Sequence, residues 1–444
     1  MGRVRVAFVV TLLVVISAAC ADWSAYLGGP QHASYAVNAT KITVGNAGTL
    51  HSVWTWKPAA KSPYSPYLYA SPITSGGVVY MGAATGDFSA IDAATGTTLW
   101  RKQLSISTCD GSTGIVSSAT VATDPVTNKA VVYVGGADHY LYALDPKTGA
   151  TLWRSVVGGT DARYYNWSSP TVANRRIYMG VSVTCDVPFT NGVEAFDQHT
   201  GGLLARWYIA GPTGLGASVY TSAAVASDGS VFVTTGDDNG GSTQDAESLV
   251  KLRGTDLTRV AGWQIPGVTG QNLDFNASPT LFDAGTTPMV GACNKNGVFY
   301  AFKQADLSAP VWTQRLGVSE PATEMFCGGS AVYDGSKLYV GANQRPNTTL
   351  PGSIYQVDPT TGHPDWYTGL DNGPVIGSPS LDGSGVLAVP TYNEAAKTGA
   401  VYLVDKSNGT ILKKLAFSGP IFAQPVFEGD QLLVAGPTLQ AFTP

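Results

Sequence analysis

Apolar residues along this chain come in short bursts, alternating with polar ones and cut by turn residues every few positions. Val78-Val79-Tyr80-Met81-Gly82, Val132-Tyr133-Val134-Gly135 and Lys337-Leu338-Tyr339-Val340-Gly341 are typical. Bursts of this length, rich in β-branched and aromatic residues and bounded by glycine, read as strands. The stretches of helical period that parallel βαβ units would need do not occur.

The bursts repeat. A Ser-Pro-like step opens each unit, at Ser71-Pro72, Ser118-Ala119, Ser169-Pro170, Ser222-Ala223, Ser278-Pro279, Ser330-Ala331, Ser378-Pro379 and Gln424-Pro425. The starts lie roughly fifty residues apart, the period of propeller blades. A second strand follows, then a third that ends in an acidic turn, as in Ala90-Ile91-Asp92 or Ala143-Leu144-Asp145, with Thr-Gly or Asn-Gly just beyond at Gly96, Gly149, Gly201, Gly362 and Gly409. An aspartate that closes the turn and a glycine that supplies positive φ are the chemistry of a tight reversal. A fourth strand carries tryptophan in most units, at Trp100, Trp153, Trp207, Trp263, Trp312 and Trp366, expected to pack between blades. The units opening at Ser222 and Ser278 lack the Asp-x-x-Thr-Gly turn.

The expected fold is therefore all-β: an eight-bladed propeller of four-stranded antiparallel blades. The last unit runs out after three strands, and Ser52-Val53-Trp54-Thr55-Trp56 near the N-terminus can supply the fourth, removing an exposed sheet edge. With strands lettered A to D outward from the axis, the A–B and C–D turns share one face and are short. The B–C and D-to-A connections share the other face and are long and varied, and they are where binding residues are expected. On that face polar side chains gather in blades three to five: Asp186, then Asp237, Asp238 and Asn239, then Asp274 and Lys295. Oxygen ligands from several loops suit Ca²⁺; the other reading of Asp237 to Gly241 is a solvated loop.

Composition narrows the partners. The 444 residues are 13% charged with a net charge of -5, which argues against a nucleic-acid partner or an anionic membrane surface. Arg3 and Arg5 precede an apolar run over 6–16 and the small residues Ser17, Ala18 and Ala19. That pattern predicts a signal peptide over 1–21, a secreted or periplasmic protein, and one propeller domain over 22–444, with no membrane span. A lipid anchor on Cys20 is the alternative. Cys109, Cys185, Cys293 and Cys327 then remain, an even number that favours disulfides with three pairings open. No Cys-x-x-Cys-His, Gly-x-Ser-x-Gly or His-Glu-x-x-His occurs, so attached c-type haem, a serine-hydrolase elbow and a zincin site are not expected.

Asp22-Trp23-Ser24-Ala25-Tyr26-Leu27-Gly28-Gly29 and 42–50 resemble the N-terminus of pyrroloquinoline-quinone (PQQ) dependent quinoprotein alcohol dehydrogenases, and within that superfamily the polyvinyl-alcohol dehydrogenase branch. The resemblance covers essentially all of 22–444. It implies PQQ and Ca²⁺ as cofactors, an alcohol substrate, and a separate electron acceptor such as a cytochrome c. Leu273-Asp274-Phe275-Asn276 resembles the segment that bears the family's catalytic aspartate. Asn294-Lys295-Asn296-Gly297 resembles the motif whose cation contacts the quinone, and Thr235-Gly236-Asp237-Asp238-Asn239 resembles a metal-binding loop. The implied metal ligands are Asp186, Asp237, Asn239 and Asp274. Tyr220 stands where a tryptophan floor stacks beneath the quinone, and Arg163 is placed to pair with a PQQ carboxylate. The adjacent Cys-Cys pair of many such enzymes is absent. The barrel-assembly lipoproteins of bacterial outer membranes use the same repeat without cofactor, so a non-catalytic binding scaffold is the competing expectation.

Overall fold

In the computed structural model the described residues are 22–59, 67–106, 114–161, 163–183, 190–209, 217–237, 244–267, 273–318 and 327–444. They form eight antiparallel sheets, each running outward from strand A to strand D, with no α-helix among them. Seven blades are continuous in sequence, over 73–103, 120–156, 171–208, 224–264, 280–315, 332–370 and 380–417. The eighth takes strands A to C from 426–443 and strand D from His51–Trp56, with Ser52 opposite Phe442 and Trp54 opposite Ala441. The eight-bladed ring closed by its N-terminal strand is as expected from the repeat. The signal-peptide region 1–21, with Cys20, lies outside the described residues.

At the axis, the serine that opens each unit is a joint between blades. The backbone N–H of Ser71 donates to Ser118 Oγ (2.8 Å), Ser118 to Ser169 (3.0 Å), Ser169 to Ser222 (2.9 Å) and Ser222 to Ser278 (2.9 Å). Ser330 donates likewise to Ser378 (3.0 Å), and Gln424 N–H returns to Ser71 Oγ (2.9 Å), so the belt crosses the seam between last blade and first.

Farther out, the acidic turns act as sockets. Asp92 Oδ1 accepts from the N–H groups of Ala94 and Thr95 and from the Thr95 hydroxyl, which holds Gly96 at φ +71°. The indole of the preceding blade lies on that glycine. A Cβ on Gly96 would sit 2.7 Å from Trp54, and on Gly149 2.6 Å from Trp100. Gly201, Gly362 and Gly409 meet Trp153, Trp312 and Trp366 in the same way. The indole N–H of Trp54, Trp100, Trp312 and Trp366 each donates to a carbonyl of the turn it covers.

Two of the expected tryptophans do not occupy this position. In blades three and four the docking place belongs to Ala205 and Ala261, while Trp207 and Trp263 stand two residues later. The facing turns of blades four and five have no Asp-x-x-Thr-Gly, and buried Leu257 and Leu307 pack toward Ala205 and Ala261 instead. Leu257 keeps the turn's left-handed residue, at φ 56°. A large residue on the turn facing a small one on the strand fills the same volume as tryptophan on glycine.

The N-terminal segment has a second role that the repeat pattern does not announce. Before pairing with blade eight it crosses the short-turn face near the axis. Its carbonyls accept from strand A of six blades: Trp23 from Thr74, Ser24 from Val121, Pro30 from Val225, Gln31 from Leu281, Ala33 from Tyr333 and Ser34 from Leu381. This strap buries carboxyls. Glu428 Oε2 accepts from Thr74 Oγ1 at 2.6 Å, which itself accepts from Trp23 N–H, and Asp382 is wholly buried where Ala36 pairs with it.

Two predictions follow from this packing. Gly149→Ala pays both for positive φ and for the collision with Trp100. It is expected to cost about 2–4 kcal/mol in urea unfolding. Gly267→Ala, at φ 75° with nothing within 4 Å of its Cβ, is expected to cost only the backbone share, about 1–2 kcal/mol. Equal costs would refute the socket. The second concerns pH. Burial pushes Glu194, Asp382 and Glu428 up to about 7. The folded state then binds more protons than the unfolded one, so stability falls as pH rises from about 4.5 to 7. Asp124 and Asp334, held down to about 2 against burial by hydrogen bonds and Lys406, lose their contribution as pH falls below 3.8. Glu428→Gln should raise the unfolding midpoint at pH 8 by on the order of 1–2 °C and leave it unchanged at pH 4; no change at pH 8 would contradict the assignment.

Candidate functional site

The B–C and D-to-A connections converge over the axis on the face opposite the strap. They line a cavity of ≈ 630 Å³ with Trp167, Ser182, Val183, Ser218, Tyr220, Asp274, Asn276, Lys295, Gly328, Ile376 and Phe422. Each of these residues precedes a strand A, or ends or just follows a strand B, which is why blades three to eight all reach one mouth.

Asp274 and Lys295 come from the two flanks of blade five. Asp274 lies before strand A. Lys295 lies in the tight B–C turn Asn294–Gly297, where Gly297 takes φ +80°. Two hydrogen bonds to backbone carbonyls bind the flanks together: Lys295 N–H donates to the Asp274 carbonyl (3.0 Å) and the Asn294 side-chain Nδ2 to the Leu273 carbonyl (2.6 Å). The side chains then meet, Lys295 Nζ to Asp274 Oδ2 at 2.7 Å, with both almost fully buried. Cys293, two residues before Lys295, is disulfide-bonded to Cys327 beside Gly328 of the cavity wall. This decides one pairing of the three that were open; Cys109 and Cys185 lie outside the described residues.

The carboxylate is held from a third side. Tyr220, before strand A of blade four, places its hydroxyl 3.0 Å from Asp274 Oδ2 and 2.6 Å from the Asn276 side chain. A phenol has one proton. The arrangement that satisfies all three groups has Tyr220 donating to Asp274 and accepting from the Asn276 amide NH₂. Burial raises the Tyr220 pKa well above that of an ordinary phenol, and the charges of Asp274 and Asp237 add to the rise, so Tyr220 is a neutral donor at every working pH. The backbone N–H of Asp237 donates to Asp274 Oδ1 at 2.7 Å. Three of about four carboxylate lone pairs are thus engaged, and the open one is on Oδ1.

Asp274, Lys295 and Tyr220 are therefore brought together, with the Asp237 backbone beside them. Asp186, Asn239 and Asp238 lie outside the described residues. Arg163 is half exposed, forked onto Asp161 at 2.7 and 2.9 Å, and does not line the cavity. Tyr220 enters the site through its hydroxyl bonds to Asp274 and Asn276. Asn276, Trp167 and Phe422 were not singled out in the sequence; Asn276 was legible in principle, two residues from Asp274 on the same extended segment.

The donor set suits Ca²⁺ and a flat, anionic quinone. Among the described residues no imidazole or thiolate lines the cavity; its oxygen donors are carboxylate, amide and hydroxyl, the hard donors that Ca²⁺ takes. Lys295 supplies a cation, Trp167 and Phe422 supply aromatic surface, and the volume is that of a cofactor pocket. Among the described residues no group of three His, Cys, Asp or Glu forms a metal site. The chemistry of the donors fits the group.

Comparison with known proteins places these features in context. A family model described as PQQ, the glucose/ethanol/alcohol dehydrogenase β-propeller domain, matches residues 23–313. The outer membrane protein assembly factor BamB of Shewanella oneidensis is 23% identical over 381 residues, 83% of this chain and 82% of that protein. The polyvinylalcohol dehydrogenase of a Sphingopyxis species is 26% identical over 363 residues, 70% of this chain and 47% of that protein, so the chain spans about half of its length. Among solved structures, the quinohemoprotein alcohol dehydrogenase of Comamonas testosteroni superposes with a TM-score of 0.74 at 17% identity, covering 95% of this chain and 80% of that one.

Lys295→Ala leaves the Asp274 carboxylate without its counter-charge, and a loss of about 3–5 kcal/mol in urea unfolding is expected. Adding Asp274→Asn should restore much of it. A double variant no more stable than Lys295→Ala alone would show that the two charges are not coupled.

Proposed function

The chain belongs to the PQQ family of glucose/ethanol/alcohol dehydrogenase β-propeller domains, and from that premise we propose that it is an exported quinoprotein dehydrogenase, oxidising an alcohol and passing the electrons to a separate acceptor such as a cytochrome c. The observation that carries this reading is the buried Lys295–Asp274–Tyr220 cluster on the wall of an open axial cavity. A scaffold that binds through its surface has no use for a buried charge pair aimed into its axis, and such a pair is costly to keep.

PQQ with Ca²⁺ would supply a two-electron acceptor polarised by a Lewis acid. Asn276, with Asp237, Asn239 and Asp186 from the neighbouring loops, would hold the metal beside Asp274, and Lys295 would face the quinone. Asp274 is the general base: its open Oδ1 lone pair accepts the hydroxyl proton of the alcohol. Lys295 Nζ and the Tyr220 hydroxyl fix the plane of that carboxylate, and Lys295 stabilises negative charge developing beside it. Trp167, Phe422, Ile376 and Val183 give the alcohol's carbon skeleton an apolar wall. Residues 1–21 would be removed on export.

A second reading, a cofactor-free binding propeller, is favoured by the alignment to the assembly factor, which spans more than four fifths of both chains. Cofactor binding separates the two. Titrating purified protein with PQQ and Ca²⁺ should quench tryptophan fluorescence saturably at micromolar PQQ; no quenching there would leave the scaffold reading. At saturating Ca²⁺, Asp274→Asn is expected to keep PQQ binding within a few-fold and lower dye-linked alcohol oxidation by about 10²- to 10⁴-fold. Undiminished turnover would remove Asp274 from the role of base.

A further inference from the structure

The floor of the axial cavity repeats with the blades. Two residues before each belt residue stands one position that lines the cavity or the narrower axial space adjoining it, from Tyr69 in blade one to Phe422 in blade eight. In seven blades that position carries a side chain of valine size or larger. In blade six it is Gly328, which is partly open to the cavity.

Neither backbone nor packing calls for glycine there. Its φ lies outside the left-handed region, and a Cβ would meet the Ile376 backbone alone, the carbonyl oxygen nearest at 3.2 Å. Gly329, the next residue, differs: its Cβ would fall 2.6 Å from the Gly377 carbonyl oxygen, a collision that only backbone movement relieves. Gly329 is a packing glycine. The side chain missing at Gly328 leaves a recess in the floor.

That recess lies beside the chemistry. Blade six follows blade five, which carries Asp274 and Lys295, and all three residues line one cavity. Cys327, directly before Gly328, is bonded to Cys293, two residues before Lys295, with the two Cα atoms 5.5 Å apart. The cross-link therefore fixes Gly328 relative to the charge pair. Two sides of the recess are apolar, Ile376 from blade seven and the fully buried disulfide. On a third side the Asn276 side chain is already engaged by the Tyr220 hydroxyl. Such surroundings take carbon rather than a second polar group.

We propose that Gly328 sets the substrate range of the site: the recess over it takes the carbon chain of an aliphatic alcohol of several carbons whose hydroxyl is held at Asp274. The proposal rests on the dehydrogenase reading and narrows it to a substrate class. A side chain at position 328 takes the place of substrate methylenes, about one for alanine and about three for valine. Each methylene refused by an apolar pocket is worth about 10-fold or more in kcat/KM. Alcohols that end before the recess lose less.

Chain-length profiles test this. In PQQ- and Ca²⁺-loaded wild type, kcat/KM should rise along the linear series from ethanol to 1-hexanol. The ratio of kcat/KM for 1-hexanol to that for ethanol should fall about 10-fold in Gly328→Ala and about 100-fold in Gly328→Val. Ile376→Ala widens the recess from its other side and should move the optimum to longer chains, which decides the matter if the glycine variants fail to fold. An unchanged profile in Gly328→Ala and Ile376→Ala overturns the proposal. PQQ titration by fluorescence quenching is the second readout, and Gly328→Ala should bind within about 3-fold of wild type. Binding weakened by about 10-fold or more, with both alcohols losing alike, assigns the recess to the cofactor and overturns the proposal. Wild-type protein that oxidises no alcohol defeats the dehydrogenase reading and this proposal with it. Wild type that oxidises alcohols with no chain-length preference defeats the proposal alone.

Discussion

The serine belt is the constraint on which the rest of the molecule depends. Every hydroxyl along it except that of Ser330 takes a backbone N–H that would otherwise be buried at the axis without a partner, a loss of about 1–3 kcal/mol at each joint. Ser71, Ser118, Ser169, Ser222 and Ser330 also donate their own N–H onward. One residue per blade thereby sets both the spacing of the blades and the narrowness of the axis. Where Gln424 replaces serine in blade eight, its N–H still closes on Ser71, and its side chain reaches instead to Ser34 and to the Pro379 carbonyl. The seam of the ring is tied by a different residue in the same place.

Outside the belt the blades lock by shape. Tryptophan on glycine and alanine against leucine are two solutions to one volume, and the chain uses the second at the two adjacent turns that have lost the aspartate motif. The strap across the short-turn face adds a tie of another kind, since its carbonyls accept from six strands A that have no sheet partner there. Closure by His51–Trp56 and lacing by 22–36 bond the N-terminal residues to seven of the eight blades.

These constraints place the chemistry. Because strand A sits at the axis, any residue just before it looks into the mouth, and any B–C turn looks over it. Asp274 and Lys295 meet since they flank the same pair of strands; Tyr220 meets them since its blade is the previous one. The pair is buried in a wall that is otherwise hydroxyl, amide and aromatic, so salt screens it less than a surface pair.

Periodicity in the chain determined the fold class, the number of blades and the strand borrowed from the N-terminus, because each blade is a local antiparallel unit whose turns carry their own signals. It also placed Asp274 and Lys295 on the loops around the mouth, while Tyr220 came from the family resemblance alone. The strap was not legible, because its bonds are backbone carbonyls that any sequence possesses. Nor was the displacement of Trp207 and Trp263 from the docking position, because a shift of two residues along a strand leaves a tryptophan on the same face and the composition unchanged. Which groups hold Asp274, which cysteine pairs with Cys293, and that Arg163 turns to Asp161 were decided only in three dimensions. Those contacts join residues from separate turns or choose among equivalent local partners, and their distances exist only once the ring has closed.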